Sequence, residues 1–422
     1  MSDTGSPAEH ILQLAKQAKK AARELAAVSG EAKAAALAAM VDALQNARPA
    51  LAEANVADLE DARNAGLPQP MIARLEITDK VFDYMQKRLK EIAALPDPVG
   101  RTLEGIVRPN GFRVSKVTVP IGVAGIIYES RPNVTTDAAS VCLKSGNAVI
   151  LRGGSESLRT NIVLADAMAE AASQHGLPDH AIQIIRTADR ENVQHLLRMD
   201  RYVDVLIPRG GKSLIERVAS ESRIPVIKHY EGICHQYLAA DAPVERAVAV
   251  TVNSKCQRVE VCNALETLLV DGQSSERLLP EVKRAFDAEN VTLRGCERTR
   301  VILPDIEPVT EEDWSTEYLD RILSVRIVDG VTEAIEHINT YGSGHTDGII
   351  TDDIATARQF VAGVDASSVL VNASTRLSGG GDYGMGAVVG ISTDKLHARG
   401  PVGPSELTSY KWVAYGDGHL RD

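Results

Sequence analysis

The sharpest chemical feature of the chain is a cysteine in a polar loop ahead of an apolar run: Cys256-Gln257-Arg258-Val259-Glu260-Val261-Cys262-Asn263-Ala264-Leu265-Glu266-Thr267-Leu268-Leu269-Val270. Cys262 stands just before a predicted strand, where a thiol can face a cleft with backbone N–H groups close enough to favour the thiolate. The same local pattern also fits a small buried hydrophobe. Two further loops carry the marks of a phosphate cradle. They are Val149-Ile150-Leu151-Arg152-Gly153-Gly154-Ser155-Glu156 and Val205-Leu206-Ile207-Pro208-Arg209-Gly210-Gly211-Lys212. A strand that ends in paired glycines before a helix exposes backbone N–H groups and the positive end of the helix dipole, which suits an anion. Each alone is also an ordinary tight turn, and their succession on adjacent units is what points to a nucleotide. Neither is a P-loop or a dinucleotide fingerprint. Gly379-Gly380-Gly381-Asp382-Tyr383-Gly384 meets that fingerprint formally, but without a strand before it or a helix after it, and reads as a loop.

The remaining reactive side chains exclude more than they suggest. His229 and His235 are too far apart for one helical face, no His-Glu-x-x-His occurs, and His345 sits in a glycine-containing loop, so spacing yields no metal site. Cysteines at 142, 234, 256, 262 and 296 are odd in number and scattered. They make no disulfide framework and point to a reducing, cytoplasmic compartment. With 46 Lys+Arg against 57 Asp+Glu the chain repels a nucleic-acid backbone, which leaves room only for a local basic pocket. No apolar run of about 18 residues is present and the start is polar and acidic, so neither a membrane span nor a signal peptide is expected.

These residues need elements to hold them. Segments near 8–27, 31–47, 49–65 and 78–94 are rich in Ala, Leu, Glu and Lys and read as helices, broken at Pro49 and at Gly66-Leu67-Pro68. Thr102–Arg108 and Phe112–Val119 flank Asn110-Gly111, the signature of a hairpin with a type I′ turn. Such a two-stranded arm is marginal alone and should pair with something, such as another subunit. From Pro120 strands and helices alternate, with strands over Gly122–Tyr128, Ala148–Arg152, Ala181–Ile185, Val203–Ile207 and Pro225–Lys228. A second series covers Leu265–Val270, Ser324–Val328, Gly348–Thr351 and Val369–Val371. Apolar strands separated by helices indicate parallel βαβ units. The tail stretch Ser405–Val413 has the character of an edge strand.

Taken together, the motifs resemble the aldehyde dehydrogenase superfamily and, within it, the gamma-glutamyl phosphate reductase (glutamate-5-semialdehyde dehydrogenase) family. The matching stretches begin with Ile126-Ile127-Tyr128-Glu129-Ser130-Arg131-Pro132-Asn133, Ser145–Gly154 and Ile207-Pro208-Arg209-Gly210-Gly211. They continue with Lys228-His229-Tyr230-Glu231-Gly232-Ile233-Cys234-His235, Val261–Leu269, Tyr341–Thr346, Val371–Arg376 and Gly390–Pro401. One departure stands in the loop before the thiol, where the family's Gln-Arg-Pro-Gly is replaced by Gln257-Arg258-Val259-Glu260.

The resemblance implies an aldehyde-dehydrogenase-like α/β fold: a Rossmann-like cofactor domain, an α/β catalytic domain and a β-hairpin oligomerisation element. The implied boundaries are 1–101 and 120–250 for NADP binding, 102–119 and 400–422 for oligomerisation, 251–376 for catalysis, and 377–399 returning to the cofactor domain. It makes Cys262 the nucleophile, with Asn133 and the Cys262 backbone N–H as oxyanion donors. Arg152, Gly153, Gly154, Ser155, Arg209, Gly210, Gly211 and Glu317 are assigned to the cofactor, Arg152 facing the 2′-phosphate of NADPH. His229 and Arg376 are assigned to the substrate. His229 takes the position of the superfamily's water-activating Glu, so the implied thioacyl-enzyme passes to phosphate or hydride and not to water. The implied reaction is NADPH-dependent reduction of L-glutamyl 5-phosphate, in a homo-oligomer, with transient contact to glutamate 5-kinase. An aldehyde oxidiser with hydrolytic deacylation and a non-catalytic oligomeric scaffold are the alternatives.

Overall fold

The computed structural model describes residues 6–129 and 131–421. Ser130, within the Glu129-Ser130-Arg131 stretch, and the polar residues 1–5 lie outside them. Contacts divide the chain into two compact units. One runs up to Lys228 and includes Gly384–Gly390 and the chain from Pro401; the other comprises His229–Tyr383 and Ile391–Gly400. The division thus falls ahead of the expected residue 250, because Cys234–Leu238 is a strand inside the second unit's sheet. Of the expected return segment 377–399, only Gly384–Gly390 joins the first unit.

In the first unit, helix Pro7–Leu25 starts from a Ser6 capping box, with the Ser6 hydroxyl accepting from Glu9 N–H and the Glu9 carboxylate from Ser6 N–H. The break expected at Pro49 is absent: Gly30–Asn64 is one helix. An interior proline costs about 3 kcal/mol, and burial of Leu37, Met40, Leu44, Leu51 and Leu59 along the same helix, at about 1.5–3 kcal/mol per side chain, offsets it.

The hairpin pairs β1 (Thr102–Val107) with β2 (Arg113–Pro120). Its turn differs from the type I′ expected. Arg108 N–H donates to Phe112 O at 2.8 Å and Gly111 N–H to Arg108 O at 2.9 Å, with only Gly111 at positive φ. Pro109 has no N–H to donate across a two-residue turn, so the loop widens by one residue and Gly111 takes the left-handed position. The missing third strand comes from this same chain: Thr408–Tyr415 lies antiparallel along β2. The resulting arm exposes Leu103, Ile106, Val107, Tyr410, Trp412 and Tyr415.

A four-stranded parallel sheet follows, formed by β3 (Val123–Tyr128), β4 (Ala148–Arg152), β5 (Ile182–Ile184) and β6 (Val205–Arg209) in the spatial order β5-β4-β3-β6. The chain winds outward to one side and then reverses, as in a mononucleotide-binding half, and the switch point lies between β3 and β6. Pro225–Lys228 adds only one bridge, Val226 to Leu206.

The second unit is built on a seven-stranded parallel sheet. Its strands are β7 (Cys234–Leu238), β8 (Leu265–Asp271), β9 (Thr292–Gly295), β10 (Glu307–Pro308), β11 (Ile322–Val328), β12 (Thr346–Ile350) and β13 (Ser368–Val371), in the order β10-β9-β11-β8-β7-β12-β13. Leu268, Val270, Leu278 and Phe286 pack in one core cluster, and Tyr237, Leu269, Ile349 and Phe360 in another. β7 escapes a hydrophobicity reading because it carries His235 and Gln236, both fully buried. Among the described residues no helix is long and apolar enough to cross a membrane.

Candidate active site

Parallel strands aligned side by side bring their amino ends together, and three adjacent ones do so in the second unit: β8, β7 and β12. Cys262 precedes β8, His229 precedes β7 and His345 immediately precedes β12. The Cys262 sulfur and one ring nitrogen of each histidine lie within 4.8 Å of one another. Sequence spacing hides this trio, because its members are scattered along the chain and only the sheet order unites them. His345, read from sequence as a loop residue, is fully buried beside Cys262.

The surrounding bonds define both imidazoles. His229 Nδ1 lies 2.9 Å from the Ile391 carbonyl, so Nδ1 carries the proton and Nε2 the lone pair. His345 Nδ1 lies 2.8 Å from Thr346 Oγ1, and that hydroxyl donates to Ser378 Oγ at 2.9 Å. With its own proton committed to Ser378, Thr346 accepts from His345, which again leaves the lone pair on Nε2. The rings meet edge to face at 5.3 Å between centroids.

The loop carrying Cys262 is held at several points. Cys234 donates its S–H to the Cys262 carbonyl at 3.2 Å. Gly232 presses so closely on Cys262 that a Cβ there would fall 1.8 Å from the same oxygen. Gly232 N–H in turn donates to Glu317 Oε1 at 2.9 Å. Glu317, assigned to the cofactor from the resemblance, therefore also braces the backbone behind the thiol. Asn263 donates to the Ser378 carbonyl at 2.9 Å, and Arg376 donates to Asn263 and, at 3.0 Å, to Gln257. These tethers secure the loop where Val259-Glu260 replaces Pro-Gly. Arg376 also interacts electrostatically with Cys262, supplying positive charge beside the sulfur.

Burial pushes Cys142 up to about 12, raises Cys234 well above the thiol range, and raises Cys256 as well. No disulfide joins the cysteines among the described residues.

The first unit holds both glycine-pair loops. β4 ends at Arg152, Gly153-Gly154 turn, and Ser155 opens a short 3₁₀ turn into helix Leu158–Gln174. β6 ends at Arg209, and Gly210-Gly211 lead into helix Lys212–Glu221. A cavity of about 560 Å³ is lined by Tyr128, Glu129, Arg152, Gly154, Arg190 and Arg217, among others. Gly211 N–H donates to Glu129 Oε2 at 3.0 Å, at the switch point between β3 and β6. A Cβ on Gly153 would fall 2.2 Å from the buried Asn161 amide, whereas one on Gly154 or Gly210 would displace the flexible carboxylates of Glu156 and Glu129, 2.2 and 2.4 Å away. Arg152 donates to the Gly153 and Ala188 carbonyls at 3.0 and 3.2 Å, and its buried Nε has no acceptor among the described residues. A cavity of this size lined by three guanidinium groups and Gly154 fits an anionic nucleotide. Arg190 and Arg217 carried no sequence signal, since they lie outside both glycine loops. Asn133 opens helix Asn133–Lys144, its amide 3.5 Å from Asp137.

The comparisons with known proteins agree with this architecture. The model of the aldehyde dehydrogenase family matches residues 4–301. The chain is similar over 98% of its length to gamma-glutamyl phosphate reductase from Thermotoga maritima, at 42% identity, 100% coverage of that chain and a TM-score of 0.95. It is also similar to the gamma-glutamyl phosphate reductase of Saccharomyces cerevisiae, at 31% identity, 98% coverage of both chains and a TM-score of 0.55. An acetylating aldehyde dehydrogenase from Geobacillus thermoglucosidasius shares the fold at 20% identity and a TM-score of 0.69, over 99% of this chain and 98% of that one. Motifs, sheet order and these full-length matches converge: the chain belongs to the aldehyde dehydrogenase family.

Proposed function

We propose that the chain reduces L-glutamyl 5-phosphate to L-glutamate 5-semialdehyde and phosphate with NADPH, the second step of proline biosynthesis from glutamate. The full-length similarity to two gamma-glutamyl phosphate reductases supports the substrate. The observation that carries the chemistry is the gathering of Cys262, His229 and His345.

An imidazole Nε2 takes the thiol proton, and the Cys262 sulfur attacks the acyl carbon. The carbon–oxygen bond to phosphate breaks, and phosphate leaves with the electron pair, giving a thioacyl-enzyme. Arg376 stabilises the sulfur anion before attack and on release. Asn133 and the Cys262 N–H hold the carbonyl oxygen as it gains charge, a donor of this kind contributing about 3–4 kcal/mol. When bound, NADPH supplies the hydride chemistry. Cys262 then departs as thiolate when the reduced carbon regains its carbonyl. Arg152 and Arg190 are suited to the 2′-phosphate that separates NADPH from NADH, and Gly153, Gly154, Ser155, Arg209, Gly210, Gly211 and Glu317 complete the cofactor's setting.

The apolar arm of β1, β2 and Thr408–Tyr415 is suited to assembly with copies of the same chain. Cysteines that are odd in number and scattered along the chain fit a cytoplasmic setting. The lability of an acyl phosphate is the chemical reason for transient contact with the kinase that makes it. The test is NADPH oxidation with freshly generated glutamyl phosphate. Turnover should disappear in Cys262→Ser and persist in Cys256→Ser; the reverse pattern would overturn the assignment.

A further inference from the structure

We propose that His229, Cys262 and His345 also form a binding site for one zinc-class divalent cation, which switches the enzyme off by occupying its nucleophile. Three observations carry this. The ligand atoms already lie within 4.8 Å of one another. Their types, one thiolate and two imidazoles, are those of three-ligand zinc sites that keep a fourth position for water. Both imidazoles are also braced as metal-bound histidines are, through Nδ1 to an oxygen: Ile391 O for His229 and Thr346 Oγ1 for His345. That bracing fixes Nε2 as the lone-pair atom in each ring.

A tetrahedral zinc holds such ligand atoms about 3.3–3.6 Å apart, given bonds of about 2.0–2.3 Å. The trio therefore closes by about 1 Å, a movement open to Cys262 and His229, which are only half-buried. Binding exchanges the S–H bond for a metal–sulfur bond and releases one proton to solvent, with no change of oxidation state. The sulfur lone pair that would attack an acyl phosphate is then engaged. A soft or borderline ion is favoured over magnesium or calcium, which prefer oxygen ligands. Occupancy rests on the geometry alone; the inhibitory effect rests on the reading of Cys262 as nucleophile.

The experiment titrates the metal-free full-length enzyme with Zn²⁺ against a chromogenic chelator and, separately, with Co²⁺. One ion per chain is expected, together with a thiolate-to-cobalt charge-transfer band. Cys262→Ser should abolish the band and weaken Zn²⁺ binding at least about a hundredfold, and His229→Gln about tenfold or more. Cys256→Ser should leave both unchanged. Zn²⁺ should stop glutamyl phosphate reduction, and a chelator should restore it. Wild-type affinity and an intact band in a folded Cys262→Ser protein would overturn the site. Normal glutamyl phosphate reduction with no band would sink the metal proposal alone; a band in an enzyme inert toward glutamyl phosphate would sink the substrate reading alone.

Discussion

Gly232 and Cys262 are packed backbone to backbone, so closely that a Cβ at position 232 would lie 1.8 Å from the Cys262 carbonyl oxygen. No side chain fits there without moving the Cys262 backbone. Gly232→Ala should therefore lower kcat/KM for glutamyl phosphate by about a hundredfold, the cost of a misplacement of about 1 Å at a reacting centre. NADPH affinity should fall less, because the residues assigned to the cofactor lie in the first unit apart from Glu317, which the Gly232 N–H contacts. Equal losses in both would mean that the substitution unfolds the protein, which circular dichroism would show.

Arg152 lines the first unit's cavity with Arg190 and Arg217. Arg152→Ala should weaken NADPH about ten- to a hundredfold, the worth of a charge-assisted contact of about 1.5–3 kcal/mol, and NADH far less. Fluorescence titration with both cofactors makes the comparison. Equal losses would move the 2′-phosphate to Arg190 or Arg209.

His337 gives the second unit an acid-sensitive limb. Its ring is buried against His235, Trp314 and Tyr341, and its Nδ1 accepts from Arg326 at 3.0 Å. Burial, followed by the neighbouring His235 and Arg326 charges, pushes its pKa down to about 2. In the unfolded chain the ring titrates near its ordinary value of about 6.5. Between these values the unfolded state binds the extra proton, so this contribution is complete above about pH 6.5. It falls by about 1.4 kcal/mol per pH unit below that. Urea unfolding of His337→Phe against wild type from pH 7 to pH 5 should show a slope smaller by about one proton. Identical slopes would assign the acid sensitivity to other groups.

The two strand–glycine–glycine–helix junctions, the parallel sheets and the place of Cys262 ahead of β8 were legible because each leaves a local mark: an apolar run, a glycine pair, a cysteine before a strand. Pro49 and Pro109 misled in opposite ways. The first was overridden by burial along one helix, and the second reshaped a turn that Asn110-Gly111 alone would have made tighter. β7 was hidden by its two buried polar residues, His235 and Gln236, of which His235 is partnered by Asp347, 2.9 Å from its Nδ1. His345 was illegible for the same reason. Its place beside Cys262 arises from strand order, which juxtaposes residues that no sequence window contains together.

The central claim is that Cys262 carries a thioacyl group destined for phosphate or hydride and not for water. His229, not a carboxylate, stands beside the sulfur, with its Nδ1 proton committed to Ile391 O. The direct measurement is the steady-state rate of NADPH formation from glutamate 5-semialdehyde and NADP with phosphate rigorously removed, read after any single-turnover burst. The account predicts a burst that stalls and a sustained rate restored by phosphate or arsenate. A sustained rate without phosphate, comparable to that with it, would show water resolving the thioester and would contradict the account.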